Sequence, residues 1–468
     1  MKKRFFPPRV GDPVFTRQQL TSLLIPLIVE QILTQMIGLI GTVMVARVGE
    51  HALSGVSIVD SINQIVLSLF TSLSIGGTIV TSQFIGRADN TNARESAKQV
   101  VIASTGIAAL CAVICAFFRV NILEFIYDVE PDVMASAKIY FLITACSFPF
   151  MALFASTSAI FRASGNSSLP MMVSLLMNAI NIGCCALFII VIPLGAAGPA
   201  LGALISRIVG SIILSTMLSN KKLAINISGI FPLRLNIPMI KNILVIGIPS
   251  GVENSMLQLG RLVNQSMISS FGTAAIVAAS IGNHLNVVTL MPGAAVGSAL
   301  LTVVGQCVGA GKYDQARRYT TGFMLMGMAA TVSLNVLCLV FMEQLIVMFN
   351  ASGETAVLAR DAIMIFGIAS CFFAPFSFPL PNALRAANDV KFTLLLALAS
   401  MFPVRVLMGY ILCFHTPIGA QGIWWALLLD WGFKAIVCII RFSGDKWTKH
   451  KILKGAAPEP EAITQGAE

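Results

Sequence analysis

The chain alternates long apolar blocks with short polar joints. The blocks fall at residues 20–45, 53–84, 97–118, 133–161, 168–192, 197–219, 239–269, 274–308, 318–342, 355–383, 392–414 and 420–441. About 20 apolar residues at 1.5 Å rise cross a ~30 Å hydrocarbon layer. The pattern therefore predicts twelve transmembrane helices and an all-α polytopic membrane protein. Several blocks are longer than a span needs, so tilt, kinks or extension beyond the bilayer are expected. Pro26 and Pro249 sit early in their helices, whereas Pro149, Pro375, Pro379 and Pro381 fall inside theirs and are expected to kink them.

The blocks repeat. Pro26 matches Pro249, Glu30 matches Glu253, Gln35 matches Gln258, Gly49 matches Gly272, Gln83 matches Gln306 and Gly86 matches Gly309. Every pair is offset by 223 (249 − 26; 317 − 94 for Arg94 and Arg317). The same shift carries Arg162-Ala163 onto Arg385-Ala386, and after one inserted residue Pro193 meets Pro417. Six spans per copy, an even number, keep both copies in one orientation, so the halves are parallel repeats about an axis along the membrane normal. The expected organisation is an N-terminus to residue 19, a first lobe over 20–219, a linker over 220–238, a second lobe over 239–441 and a partly disordered tail over 442–468.

Composition agrees with the pattern: 56% of residues are hydrophobic and 11% charged, against about 25% charged in soluble chains. The net charge of +10 does not point to nucleic acid, because the basic residues mark one side of the membrane. Joints on the side of the N-terminus hold 23 Lys and Arg and the opposite joints four. That asymmetry places both termini and the linker in the cytoplasm of a cell membrane. The N-terminal MKKR precedes a block too long for a signal peptide, so no cleavage is expected. The ten cysteines lie inside apolar blocks without CxxC or Cys/His spacing and read as packing residues, with no metal site. No GxSxG, HExxH or Walker-type loop occurs, which argues against an enzyme.

Few ionisable residues lie deep in the spans: Glu30, Asp60, Arg207, Glu253, Arg261, His284, Arg405, Asp430 and Lys434. A charge at mid-bilayer is costly, so each is a candidate for function. Asp430 and Lys434, four residues apart, are expected to pair on one helix. Arg405 is expected to bond backbone carbonyls, and Arg207 has no partner legible in the sequence. Glu30, Thr34, Gly38 and Gly41 share one small and polar helix face. In the seventh block Glu253 lies on the face of Asn264, beside a stripe of Ser250, Asn254, Gln258, Arg261 and Gln265. A helix this polar on one side faces protein or a wet chamber, not lipid. A carboxylate held out of water can bind a proton or small cation and attract a cationic cargo, the two duties of a coupled antiporter. Glu30 and Glu253 are therefore candidate cation-coupling residues; the alternative is that they only bond neighbouring helices. Thr34, Gln35, Asp60, Asn254, Gln258, Arg261, Asn264, Asn283 and His284 are candidates to line the substrate cavity.

These residues resemble the multidrug and toxic compound extrusion (MATE) transporters over about residues 15–445. The likeness rests on twelve spans in parallel halves and on G-T-V-M-V-A fifteen residues after Pro26. It rests further on Q-F-I-G-R-A-D at Gln83, F-R-A-S-G-N at Phe161, L-R-A-A-N-D at Leu384 and the P-L-G-A-A-G and P-I-G-A-Q-G joints. The resemblance implies a V-shaped cavity between two six-helix bundles and export of small organic, often cationic compounds in exchange for H⁺ or Na⁺. The chain also departs from it. Gly41 stands where better-known members carry an aspartate, Gln258 where an acidic residue is expected, and no carboxylate occurs over 374–388.

The resulting expectation is a monomeric multidrug and organic-cation antiporter working by alternating access, with the lipid bilayer and small organic cargo as partners and no cofactor beyond the coupling ion. The alternative is a flippase for lipid-linked precursors or polysaccharides, which would want a basic cavity of the kind Arg207, Arg261 and Arg405 could supply.

Overall fold

The computed structural model describes residues 13–46, 48–127, 129–230, 234–349 and 353–450; the expected disordered tail lies mostly outside them. Among the described residues all regular structure is helical. The first lobe runs α1 (Arg17–Ala46), α2 (Glu50–Gly86), α3 (Asn90–Phe117), a short α4 (Arg119–Ile126), α5 (Pro131–Cys146), α6 (Phe148–Ala163), α7 (Ser168–Ala186) and α8 (Ala197–Leu218). The second runs α9 (Ile237–Ser269), α10 (Thr273–Gly309), α11 (Tyr313–Val340), α12 (Met342–Met348), α13 (Gly353–Phe372), α14 (Ala374–Ser377), α15 (Pro379–Ala386), α16 (Val390–Ala399), α17 (Met408–Phe414) and α18 (Gly422–Ser443).

Nine of the described helical stretches are long and apolar enough to cross a membrane, and ten with α5 and α6, bent by 43°, counted as one span. The 30 residues of α1 and 33 of α9 reach about 45 and 50 Å. With those two, each lobe has six spans. The fourth span of each lobe is broken rather than kinked. Pro149 opens α6, and Pro375 and Pro379 open α14 and α15. A proline is tolerated in the first turn, where its missing N–H has no partner to lose. Pro26 and Pro249 are instead carried inside unbroken helices.

The repeat extends to backbone conformation. Ala88 and Gly311, equivalent at the offset of 223, both take left-handed φ (60° and 72°), as do Gly165 and Asn388 (82° and 69°). The turn after α2 donates Asp89 N–H to Phe84 O (3.0 Å), and the turn after α10 donates Lys312 N–H to Cys307 O (2.9 Å).

Burial divides the molecule into three cores. The largest takes Leu20, Leu23, Leu24 and Leu27 from α1, Ile79 and Val80 from α2, Ile243 and Ile246 from α9, and Val303 and Val304 from α10, so both lobes build it. A second core lies wholly in the second lobe around Ala279, Phe366 and Trp424. A third lies wholly in the first, around Val59, Phe141 and Ala152. The halves of α2 and α10 nearer the chain termini are thus packed together, and the opposite halves belong to separate bundles. That is a V, closed at the end that carries the termini.

Candidate functional site: paired lobes and a chamber in the second lobe

Two ion pairs stand at equivalent places in the lobes. In the second, Arg385 at the end of α15 donates to Glu253 Oε1 on α9 at 2.8 Å, with both side chains about nine-tenths buried (8% and 11% exposed). A second guanidinium nitrogen donates to Asn382 Oδ1 at 3.0 Å. In the first lobe, Arg162 at the end of α6 lies 3.6 Å from Glu30 Oε1 on α1. The second carboxylate oxygen of each glutamate is buried without a hydrogen bond. Removing one partner of a buried pair strands the other charge, at about 3–5 kcal/mol. The glutamates are thus held by protein cations.

The helix ends bearing these arginines also join the lobes. Gln83 of α2 donates to Ala386 O and Asn388 Oδ1, each at 2.9 Å. Gln306 of α10, its equivalent, donates to Ala163 O at 2.7 Å. Each lobe therefore clamps the residue that follows the other lobe's ion-pairing arginine. Asn254 adds a bond to Ser72 Oγ at 3.1 Å, again between lobes.

Within the first lobe Asp60 accepts from Tyr140 Oη (3.2 Å) and Asn63 Nδ2 (3.3 Å), and Arg207 donates to Ser147 Oγ. The second lobe contains a chamber of about 340 Å³ bounded by α9, α10, α13, the Phe373–Phe378 break, the Ser400–Leu407 stretch and α18. Its lining includes Arg261, Asn264, Asn283, Arg405, Lys434 and Trp431. Arg405 projects from a π-helical stretch, Ser400–Leu407, that contains Pro403; losing that N–H favours the wider turn. Asp430, fully buried, lies 3.5 Å from Arg405 Nε and 3.2 Å from Lys434 Nζ. The expected Asp430–Lys434 pair is present, and Arg405 meets this carboxylate rather than the backbone carbonyls expected for it.

The structure brings Arg261, Asn264 and Asn283 together in the chamber, with Gln258 accepting from Arg261 at 3.2 Å. It does not bring the other nominated residues there. Thr34 donates back to its own helix at Glu30 O, and Gln35 is exposed. Asn254 is spent on the lobe contact. His284 stacks on Phe349, rings 6.5 Å apart. Asp60 belongs to the first lobe, and Glu30 and Glu253 are in their ion pairs. At Gly41 a β-carbon would meet nothing within 4 Å, so space exists where an acidic side chain is missing. The arginines of the two pairs lie at polar joints, where they read as topology charges and not as partners of buried acids. The signal was present, since one offset of 223 relates both glutamates and both arginines.

Two parallel helical bundles of six spans each, closed on one another at one end and polar inside, define a membrane transporter. The family model MatE matches residues 26–187 and 249–411, once in each lobe, and the chain belongs to that family, one of transporters rather than enzymes. Among its relatives, an uncharacterized transporter, YisQ, of Bacillus subtilis is 25% identical over 449 residues, covering 94% of this chain and 96% of the relative. A probable multidrug resistance protein, NorM, of Thermotoga maritima is 23% identical over 446 residues, covering 93% and 94%. Among solved structures, a MOP superfamily transporter from Pyrococcus furiosus, described as having a binding pocket of reverse polarity, superposes with TM-score 0.85 at 17% identity over 91% of this chain and 95% of that one. An outward-facing multidrug resistance MATE transporter gives 0.82 at 17% identity, covering 91% and 94%. Those two likenesses concern the fold.

Proposed function

We propose that the protein exports small organic compounds across the cell membrane by alternating access, driven by antiport of H⁺ or Na⁺. The observation that carries this reading is the distribution of packing. One core shared by both lobes closes one end, and two separate cores leave the other end divided. With the basic joints in the cytoplasm, this is the outward-open form, and rocking the bundles about the shared end exposes the opposite side. Relatives described as probable multidrug resistance proteins support small organic cargo.

Coupling is assigned to Glu30 and Glu253. Each keeps one carboxylate oxygen unbonded within an Arg pair at the clamp between lobes. A proton or Na⁺ competing with the arginine for that carboxylate would loosen the clamp. An ion shifts such an equilibrium only by its different affinity for the two states. Cationic cargo is assigned to the first lobe, where Asp60 offers an exposed carboxylate.

The test is efflux of rhodamine 123 from proteoliposomes with ΔpH and ΔpNa imposed separately, comparing the wild type with Glu30→Gln and Glu253→Gln. One gradient is expected to drive efflux and one of the two changes to abolish it. Efflux indifferent to both gradients would end the antiport reading.

A further inference from the structure

We infer that the chamber in the second lobe binds the anionic group of a cargo with an apolar, ring-bearing body, so that the transporter takes organic anions as well as cations. The inference rests on the export reading above and names the cargo chemistry of one of its chambers.

Charge is the first ground. Three cations line the chamber, Arg261, Arg405 and Lys434, and among the described residues the carboxylate in ion pairs with them is Asp430. Glu253 does not offset the excess, because Arg385 holds it at 2.8 Å and neither residue lines the chamber. A partly enclosed space carrying two uncompensated positive charges favours an anion strongly, since Coulomb attraction grows as the dielectric falls.

Unused donors are the second ground. Arg405 is buried to 7% exposure, yet its one hydrogen bond among the described residues is a long one to Met401 Sδ at 4.0 Å. Its Nε is buried without a hydrogen bond, 3.5 Å from Asp430. The indole Nε1 of Trp424, another lining residue at 1% exposure, is also buried without a partner. Those two nitrogens are sealed from the chamber. The donors open to a ligand are the terminal nitrogens of Arg405, which meet no protein oxygen among the described residues. An unbonded donor costs about 1–3 kcal/mol that a ligand acceptor removes. Donors and cations together call for oxygen acceptors carrying negative charge: a carboxylate, sulfonate or phosphate.

Asn264, Gln265, Asn283 and Asn286 add amides to the wall, and the remainder is aromatic and aliphatic, with Phe366, Phe378 and Trp431. At about 340 Å³ the chamber suits a body of two or three fused rings, within the usual range of ligand pockets. The repeat shows that this polarity belongs to the second lobe. Arg261 corresponds to Gly38 (261 − 223), Lys434 to Gly210 (434 − 224, after the inserted residue), and Asp60 to the neutral Asn283 (60 + 223). The first lobe has no counterpart of Arg261 or Lys434, and its Asp60 is neutral Asn283 in the second, so the cation excess belongs to the second lobe.

Fluorescein and rhodamine 123 share a xanthene body and differ in charge, which makes them a matched pair of probes. Their binding to the full-length protein in nanodiscs would be followed by fluorescence polarisation. Saturable fluorescein binding is expected, weakened at least tenfold by Arg261→Gln and by Lys434→Met, with rhodamine 123 binding changed less than twofold. Arg261 is exposed and, among the described residues, bonded only to Gln258, so its substitution leaves the packing intact; thermal unfolding of the same sample checks this. The proposal is overturned if fluorescein binds without saturation, if neither substitution weakens it, or if both weaken rhodamine 123 equally. Failure of gradient-driven rhodamine 123 efflux, with fluorescein binding and its Arg261 dependence intact, would remove the antiport reading and leave the anion site standing.

Discussion

Gly86 of α2 lies directly against the backbone of Gln306 of α10, so close that a β-carbon at position 86 would collide with the Gln306 carbonyl. Gly309 of α10 meets the backbone of Gln83 in the same way. The offset of 223 turns one contact into the other, so the lobes close through two equivalent glycine seats.

Alanine at Gly86 or Gly309 must therefore push the lobes apart where they are closed. Backbone cannot yield as a flexible side chain does, and overpacking costs about 1–3 kcal/mol. Applied to the closed-end packing seen here and not to the state in which the lobes part, that shifts the conformational balance by roughly 5–150-fold. Labelling of a cysteine placed near the clamp, from the side of the membrane that carries the termini, should rise in Gly86→Ala. Unchanged labelling would show that the seat does not govern closure.

The two Glu–Arg pairs differ in geometry. The Glu253–Arg385 pair is shorter and more buried than the Glu30–Arg162 pair, in which Arg162 is 24% exposed. Arg385→Met should destabilise the protein by about 3–5 kcal/mol and Arg162→Met by less. Adding Glu253→Gln to Arg385→Met should restore part of the loss. Thermal unfolding in a fixed detergent compares the three variants with the wild type, and equal effects in the two lobes would show that burial does not set the difference.

Gln83→Leu keeps the size of the side chain and deletes its bonds to the second lobe, two donated to Ala386 O and Asn388 Oδ1 and one accepted from Asn388 Nδ2. Leaving Ala386 O without its donor costs about 1–3 kcal/mol, borne by the closed end. Hydrogen exchange at the α15–α16 junction should accelerate while the far ends of α2 and α10 stay unchanged. Equal acceleration throughout would indicate global destabilisation instead.

Between α12 and α13, Arg360 binds Glu343 through two hydrogen bonds of 2.8 and 2.9 Å. They hold the Glu343 carboxyl below its ordinary value of 4.5. A depressed value in the folded state means that the contribution is complete above the ordinary carboxylate range and is lost as pH falls through the depressed value. The pair is exposed, so the effect is small. Stability curves of Glu343→Gln and wild type should run parallel above pH 5 and converge below pH 4, both bounds being about one-unit estimates from the carboxylate titration range. Constant separation to acid pH would contradict the linkage.

Much of the architecture was legible along the chain because it depends on patterns that solvent imposes locally. Length and apolarity of each block set the spans, and the offset of 223 declared the two halves. The i,i+4 spacing of Asp430 and Lys434 was enough to pair them, since neighbours on one helix meet whatever surrounds them. The broken fourth spans were less legible, because a proline within an apolar run can either kink a helix or begin a new one. The site was legible only in part. Arg261, Asn264 and Asn283 share the chamber as the polar stripe suggested, whereas Arg162 and Arg385 looked like joint charges and proved to be partners of buried glutamates.

The sequence by itself determined a twelve-span, twofold-repeated membrane protein, because the bilayer excludes unpaired backbone and charge and so writes its constraints into every block. Only the tertiary structure decided which charges meet. Arg405 reaches Asp430 from 25 residues away, Arg385 reaches Glu253 from 132, and Gln83 reaches Ala386 from 303. Contacts of that separation depend on how bundles pack and where helices break, which no local periodicity records.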